Sequence, residues 1–384
     1  MKAYYNQEKI ASSLRNFFKK FSISKPLLKN LCYIILAMIS AESVVTSDFS
    51  RKLKDNFSLI HLESIERRFR RFFNSFSSIS YSLFETFIKH IISKFCVKHP
   101  DNYVHISFDH MFCKNKFTIL LFSLRIGRQG IPIWFRCFKG KHNPDAYSMD
   151  IIKKGISFCS NLFLISIITL FFLLIDGSLI LKYYLIFKAF GCFYCIRAKS
   201  FFTFSFFDKK GLLVTKHLRD IKPISQCSKI LSDVFFTRKL FKTNIVVPTY
   251  TNHSNSDIWY IVTNDNPHRA AKNYSYRFGS IECIFKSQKS NGFRLESTNT
   301  QKIEHFTSLF TVMCIALVWL TIIGVDYVKN KHRYHLKIRD TRKLNNRKAY
   351  RLYSFFNLGL TIFNLCYYNE INFTLKFNFV LYDV

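Results

Sequence analysis

The sequence predicts an α/β fold preceded by an all-helical N-terminal domain. Three observations predict it. Apolar residues recur at helical spacing from residue 8 to about 96, the spacing changes to that of strands at 103, and strand-like and helix-like segments alternate beyond that point. A chain of 384 residues is long enough for one large or two ordinary domains, each with its own core.

The N-terminal helices carry a strongly basic surface. The stretch LIHLESIERRFRRFFNSF places Ile65, Phe69 and Phe72 on one side of a helix, and its other sides hold Arg67, Arg68, Arg70 and Arg71. A solvated helix face is one interpretation. The charge of the whole chain favours the other, a helical domain that contacts DNA.

That charge is a formal +33, from 57 lysines and arginines against 24 acidic residues. The excess is spread along the chain, at 51–71, 139–154, 209–242, 269–294 and 329–351. Because such a chain repels itself, it normally has a polyanionic partner, and nucleic acid is the first candidate. Coding bias towards lysine and phenylalanine is the alternative explanation.

Strand signals begin with YVHISFDHM, in which Val104, Ile106 and Phe108 alternate with His105, Ser107 and Asp109. The runs FTILLFSLRI and IPIWFRCF follow after the turns KNK and GRQG, so we expect a three-stranded antiparallel meander. NPDAYSMDIIKKGISFC then predicts a helix with Asn143 or Asp145 near its start. ITLFFLLID predicts a buried strand, and a helix and the strand CFYCIRAK come next.

This order of strands and helices is that of a ribonuclease H-like core, in which the first and fourth strands are neighbours. Asp109 closes the first predicted strand and Asp176 closes the fourth, so the two carboxylates are expected side by side. Each is an isolated acid flanked by apolar residues, where an unpaired charge is costly. A capping or turn role is the alternative for each aspartate alone.

A third carboxylate, Glu282, lies in NYSYRFGSIECIFKSQKSNGF. We expect Gly279 to break the preceding segment and Ser280 to cap a helix that begins at Ile281, with Ile284 and Phe285 on its core face. Glu282, Lys286 and Lys289 then share another face. A glutamate in a first helical turn also suits the helix dipole, which is a sufficient structural explanation by itself.

The eleven cysteines show no paired spacing. Cys192 and Cys195, the closest pair, lie in an apolar stretch with no histidine nearby, so we expect buried thiols in a reducing compartment and no zinc site. The N-terminus lacks the apolar core of a signal peptide, which favours a cytoplasmic protein.

Two apolar stretches, 161–175 and 306–325, approach the length of a membrane span. A basic integral membrane protein with these two spans is therefore an alternative interpretation. The strand-like and turn-like patterns between the two stretches favour the α/β fold.

The stretch around Glu282 resembles the Tyr-Arg-Glu-Lys signature of DDE transposases of bacterial insertion sequences, in the insertion-sequence-four group. Tyr274 to Arg277 and Glu282 to Lys289 have the spacing of that signature, whereas Arg277 to Glu282 is one residue longer. The extra residue accompanies the expected break, which would let the arginine approach from a loop. SFDHMF and LLIDGSL resemble the two aspartate strands of the group, although Gly177 stands where its members often have arginine.

The resemblance implies a metal site of Asp109, Asp176 and Glu282 that holds two Mg²⁺ or Mn²⁺ ions for phosphodiester cleavage and strand transfer. It also implies DNA contacts, from Tyr274, Arg277 and Lys289. Lys286 is a further candidate for a phosphate contact, and Glu296 is the main rival for the third carboxylate. In place of a membrane span, the resemblance makes 306–325 a buried core helix.

We therefore expect five parts: a helical, DNA-binding domain at 1–100, the first part of the core at 101–198, a basic, β-rich insertion at 199–257, the second part of the core at 258–360 and a C-terminal tail at 361–384. The predicted function is that of a DNA transposase acting on terminal inverted repeats and target DNA as a homodimer. A nuclease or resolvase of the same fold and an inactive transposase remnant are further alternatives.

Overall fold

The structure, a computed structural model, describes residues 2–54, 61–93, 103–163, 169–174, 180–223, 227–237, 241–249, 258–290, 292–331, 338, 341–342, 350–351 and 353–368. Its N-terminal part is helical, as predicted. The helices are α1 (Lys2–Phe18), α2 (Lys25–Ala41), α3 (Thr46–Lys54), α4 (Leu62–Phe76) and α5 (Ser80–Ile92). Ile65, Phe69 and Phe72 are buried, which confirms the predicted core face of α4.

The predicted order strand, strand, strand, helix, strand, helix, strand is confirmed. The elements are β1 (Tyr103–Cys113), β2 (Phe117–Ile126), β3 (Gln129–Lys139), α6 (Met149–Phe163), β4 (Thr169–Leu174), α7 (Ile180–Ala189) and β5 (Phe193–Ala198). The first three strands form an antiparallel meander, and β4 is parallel to both β1 and β5. Asn143 and Asp145 are the two candidates for the start of the helix after β3. Asn143 accepts a hydrogen bond from Asp145 N in a short turn before α6.

The insertion continues the same sheet. Its strands are β6 (Thr203–Phe207), β7 (Leu213–His217), β8 (Lys229–Phe236) and β9 (Phe241–Val247), and β10 (Tyr260–Thr263) follows it. The described strands lie in the order β3-β2-β1-β4-β5-β10-β9-β8-β6-β7. Because β10 pairs antiparallel with both β5 and β9, it joins the insertion to the central strands.

Different helices cover the two faces of the central strands. On one face, Phe108 stacks on Phe122 with 4.6 Å between ring centroids and meets Tyr183 of α7 edge-on. The other face of β1 carries His105, Ser107 and Asp109, and helical residues 267–289 lie over it. The polar residues of this strand pattern therefore point towards a packed helix, and His105 and Ser107 are buried.

Helical residues 267–289 correct one prediction. They comprise α8 (Pro267–Arg277), a π-helical turn (Phe278–Glu282) and α9 (Cys283–Lys289), with helical dihedral angles across both junctions. The expected break at Gly279 and the N-cap at Ser280 are therefore wrong. Tertiary packing of this turn against the meander overrides the local preference of glycine and serine for a helix start.

Helix α10 (Ile303–Lys329) runs through the centre of the molecule and packs against α2, α4, α5 and β3, and against α11 (Phe355–Tyr367). Among the described helices, α10 is the one that is long and apolar enough to span a membrane. Its most apolar stretch is buried along its whole length. The bent pair α2 and α3 passes the same test only if counted as one broken span. Residues 306–325 are thus a helix buried within the described fold.

The other apolar stretch, 161–175, is divided between the end of α6 and strand β4, while 164–168 and 175 lie outside the described residues. Its last described part pairs with β1 and β5, as a central strand does. Near the C-terminus, Thr341–Arg342 pairs with Tyr350–Arg351, and α11 crosses the expected start of the tail at 361. Residues 369–384 lie outside the described part of the chain.

Candidate active site

The polar face of β1 contacts the helix that carries Glu282. His105 meets the Tyr276 ring edge-on, with 4.9 Å between centroids. Arg125 of β2 stacks on the same tyrosine ring, with its guanidinium carbon 3.6 Å from the ring centroid. These ring contacts fix the side of α8 that faces the sheet, and they place two basic or titratable groups at the same junction.

Three serines continue the contact. Ser280, in the π turn, shares a hydrogen bond with Ser123 of β2, at 2.8 Å between hydroxyl oxygens. The Ser123 hydroxyl also lies 3.2 Å from the Ser107 carbonyl oxygen, which accepts from it. All three residues are fully buried. The turn before Glu282 is thereby tied to β1 two residues before Asp109.

Glycines allow the π turn to approach the β2–β3 hairpin closely. A Cβ atom at Gly130 would lie 2.6 Å from the Ser280 carbonyl oxygen, and one at Gly279 would lie 2.8 Å from the Arg128 carbonyl oxygen. Both distances are shorter than real Cβ contacts, so each position excludes a side chain unless the backbone moves. The glycine taken from the sequence as a helix breaker is thus a packing residue.

The π turn brings Arg277 and Glu282 together. In an α-helix two residues five apart lie about 140° from each other around the axis. The wider turn removes this offset, and Arg277 Nη1 donates a short, charge-assisted hydrogen bond to Glu282 Oε1. Arg277 is buried, whereas the Glu282 side chain is 41% exposed. The arginine therefore reaches the glutamate from the same helix, which corrects the expected approach from a loop.

Tyr274 links this pair to Asp109 electrostatically. Burial raises the pKa of Tyr274 to about 12, Arg277 and Arg197 oppose the shift, and the Asp109 carboxylate adds to it. The Arg277 guanidinium carbon lies 4.9 Å from the centroid of the tyrosine ring. The Tyr274 hydroxyl is buried, and in the described part of the chain it has no hydrogen bond of normal geometry.

Asp109 lies inside β1 and not at its end, which corrects the prediction that it closes the strand. The strand continues to Cys113 because its hairpin pairing with β2 extends to Cys113 and Phe117. The described pairing with β4 ends at Phe108 opposite Leu174, so Asp109 is the first residue beyond it. Asp176 comes two residues after Leu174 in the chain and lies outside the described residues.

The basic and acidic residues after Glu282 separate into two groups. Lys286 is exposed, as a phosphate contact requires. Lys289 is turned instead towards Glu296, with 3.0 Å between Nζ and Oε1. Glu296, the rival carboxylate, is thus held by a lysine in a short turn beyond α9.

Sequence reasoning missed Arg125, Arg197 and Trp259 at this site. Arg197 stands over Trp259 at 5.9 Å, and Trp259 packs edge-on against Tyr274 with 5.6 Å between ring centroids. One signal could have found Arg197, because it is the charged residue within the otherwise apolar strand FYCIRA. Trp259 has no comparable sequence signal, since it precedes β10 in a stretch that reads as ordinary core.

Hard carboxylate oxygens are the donors that Mg²⁺ prefers, and Asp109 and Glu282 supply them near one helix–sheet junction. No group of three or more His, Cys, Asp or Glu residues that could hold a metal lies among the described residues, from which Asp176 is missing. Cys192 and Cys195 are both buried, as predicted. The chain matches no protein-family model and no curated protein.

Proposed function

We propose that this protein is a DNA transposase with a ribonuclease H-like core and an Asp-Asp-Glu site at Asp109, Asp176 and Glu282. The contact between the polar face of β1 and the helix that carries Glu282 is the observation that supports this best. Through Ser280, Ser123 and Ser107 it links the turn that carries Glu282 to β1 two residues before Asp109.

The strand arrangement supports the same fold. An antiparallel meander followed by two parallel strands, in the order β3-β2-β1-β4-β5, is the arrangement expected of a ribonuclease H-like core. In the β1–β4 register, Phe108 lies opposite Leu174, so Asp109 and the chain after β4 start from neighbouring positions. Asp176 follows there in the sequence, which favours it as the second carboxylate.

The π turn supports the resemblance at its weakest point. The signature of the insertion-sequence-four group has three residues between arginine and glutamate, and this chain has four. Because the π turn takes up one additional residue, Arg277 still reaches Glu282. Such single-turn insertions recur at functional sites.

In this mechanism the chain's own basic residues orient the Glu282 carboxylate and neutralise phosphate charge. Arg277 holds the Glu282 carboxylate, and its burial beside Tyr274 favours positioning over direct DNA contact for both residues. Lys286, which is exposed, is free to approach a phosphate. Mg²⁺ or Mn²⁺ ions held by Asp109, Asp176 and Glu282 would activate the attacking hydroxyl and stabilise the leaving oxygen.

The DNA partner is supported by charge. The chain carries a formal +33, and α4 exposes Arg67, Arg68, Arg70 and Arg71 to solvent. In the described part of the chain, Arg67 and Arg70 pair with glutamates one turn away on their own helix, at 3.6 and 3.4 Å. Exposed pairs of this kind are weak and exchange readily for phosphate. Coordinated cutting at two element ends would require a homodimer on the DNA.

Incubation of the purified chain with Mg²⁺ and labelled DNA carrying the ends of its own element tests the proposal. We expect nicked ends and products joined to a target duplex, both lost in Asp109→Asn and Asp176→Asn with end binding retained. Cut ends without joined products would indicate a nuclease or resolvase. Binding without cutting at any divalent ion tested would indicate an inactive remnant, and both results contradict the proposal.

A further inference from the structure

A basic cavity lies away from the carboxylates, between the start of α3, the middle of α4 and the segment that leads into α10. Its volume is about 390 Å³. Arg70, Lys302 and His305 line it together with the hydroxyl or amide groups of Ser47, Asn299 and Thr300. None of the described lining residues is acidic, so the lining combines several hydrogen-bond donors with positive charge.

The positive charges of the cavity act on one another. Burial lowers the pKa of His305, and Arg70 and Lys302 lower it further. The His305 ring is fixed by stacking on Phe73, with 4.8 Å between centroids. Among the described residues, Lys302 has no ion pair with a carboxylate, and the Arg70–Glu66 pair is 3.4 Å long. A bound anion would relieve this repulsion.

The backbone adds to the positive electrostatic potential of the cavity. Lys302 is the residue before the first turn of α10, and no side chain caps that turn. The peptide dipoles of this 27-residue helix place partial positive charge at its start. The acidic residue of that turn, Glu304, is exposed and does not line the cavity.

We propose that this cavity binds a phosphate group of the DNA backbone. The choice of DNA as the source rests on the proposed function, while the cationic cavity by itself would take any phosphate oxyanion. The chain supports the choice because the segment from Glu296 to Lys302 connects the two sites. At its start, Glu296 pairs with Lys289 of α9. Two residues later the Thr298 carbonyl oxygen accepts a hydrogen bond from Lys114 at 2.9 Å, and residues from Thr298 to Lys302 line the cavity. A duplex over the Glu282 helix would place phosphates along this path.

Substitutions that alter the cavity, each with a matched control, test this binding. Arg70→Gln and Lys302→Gln remove cavity charge, and Arg219→Gln removes the same charge from an exposed position in the insertion, outside α4 and the cavity lining. Asn299→Asp adds a carboxylate to the cavity, and Ser297→Asp adds one to the same exposed segment outside it. All five positions are exposed, so each substitution should leave folding intact, which circular dichroism checks for every variant.

The readout is the affinity of the full chain for a duplex of about 30 base pairs between about 0.05 and 0.2 M salt. Each phosphate contact contributes about 0.9 to the slope of log affinity against log salt, and hence about eightfold in affinity at 0.1 M salt. We expect losses of this size, with the matching slope change, in Arg70→Gln, Lys302→Gln and Asn299→Asp. The controls should lose less than about threefold, because screening leaves only a long-range effect.

Equal losses in Arg219→Gln and Arg70→Gln would overturn the inference, since general surface charge and not the cavity would then account for the binding. A second arm titrates inorganic phosphate alone. Saturation at micromolar phosphate, with duplex affinity unchanged in the cavity variants, would make free phosphate the ligand and refute the DNA assignment. If the wild type cuts element ends while cavity variants bind normally, only this inference fails. If cavity variants lose duplex binding in a chain that never cuts, only the proposed function fails.

Discussion

The serine contact between the π turn and the sheet predicts an unequal response to two small substitutions. Ser123→Ala removes the one hydrogen-bond partner that the buried Ser280 hydroxyl has among the described residues, whereas Ser280→Ala leaves Ser123 its bond to the Ser107 carbonyl oxygen. A buried hydroxyl without a partner costs about 1–3 kcal/mol, and an ordinary lost hydrogen bond about 0.5–1.5 kcal/mol. We therefore expect the free energy of unfolding to fall by about 2 kcal/mol in Ser123→Ala and about 1 kcal/mol in Ser280→Ala.

The double variant sharpens this prediction. With both hydroxyls absent no buried donor is stranded, so its loss should be about 2 kcal/mol and not the sum of about 3 kcal/mol. Urea unfolding followed by tryptophan fluorescence measures all three variants. Ser275→Ala is the control, because this exposed serine on α8 donates to the Lys272 carbonyl oxygen of its own helix and bonds no other described residue. Its expected effect is below about 0.5 kcal/mol.

Additive losses in the double variant, within about 0.3 kcal/mol, would refute this reasoning. So would equal losses in the two single variants. Either result would mean that the two hydroxyls do not act as one contact, and the link from the Glu282 turn to β1 would lose its main support.

Two other substitutions have equally definite outcomes. Gly359→Ala in α11 would place a Cβ atom on the Leu320 carbonyl oxygen of α10, so calorimetry should show that the free energy of unfolding falls by about 3 kcal/mol or more. The exposed Thr361→Ala control should stay within about 0.5 kcal/mol of the wild type. An unchanged melting temperature for the glycine variant would contradict the close helix packing. Because the pKa of Tyr274 is raised from 10.0 to about 12, the unfolded chain releases this proton first, and stability should fall between these pH values by up to about 2–3 kcal/mol. Urea unfolding midpoints at about pH 8 and 11 measure this loss, and Tyr274→Phe should lose less stability between the two pH values than the wild type does. Identical pH dependence in both proteins would count against the buried phenol.

Much of the fold could be predicted because its signals are local. Alternation of Val104, Ile106 and Phe108 with polar residues identified β1, and helical spacing of Ile65, Phe69 and Phe72 identified the core face of α4. The run of strands and helices then limited the topology, since βαβ connections place parallel strands side by side. That the insertion would extend the same sheet had no such signal, because strand pairing between distant segments is set by tertiary contacts.

The candidate site could be predicted only in part. The spacing around Glu282 indicated the right helix, but Gly279 and Ser280 were interpreted by their local preferences. Their actual roles depend on the β2–β3 hairpin, about 150 residues earlier, which the turn touches through Arg128 and Gly130. The contact between Arg277 and Glu282 was likewise hidden, since a π turn has no sequence signature that distinguishes it from a break.

Mg²⁺-dependent cleavage of DNA carrying the element's ends by Glu282→Gln, compared with Glu296→Gln, tests the central claim most directly. Both variants remove one carboxylate charge from residues that pair with a basic side chain, Arg277 and Lys289 respectively. Cleavage that falls by at least about 10³-fold in Glu282→Gln, with end binding retained and Glu296→Gln near wild type, is the result the account predicts. Full cleavage by Glu282→Gln, or its loss in Glu296→Gln alone, would contradict the account.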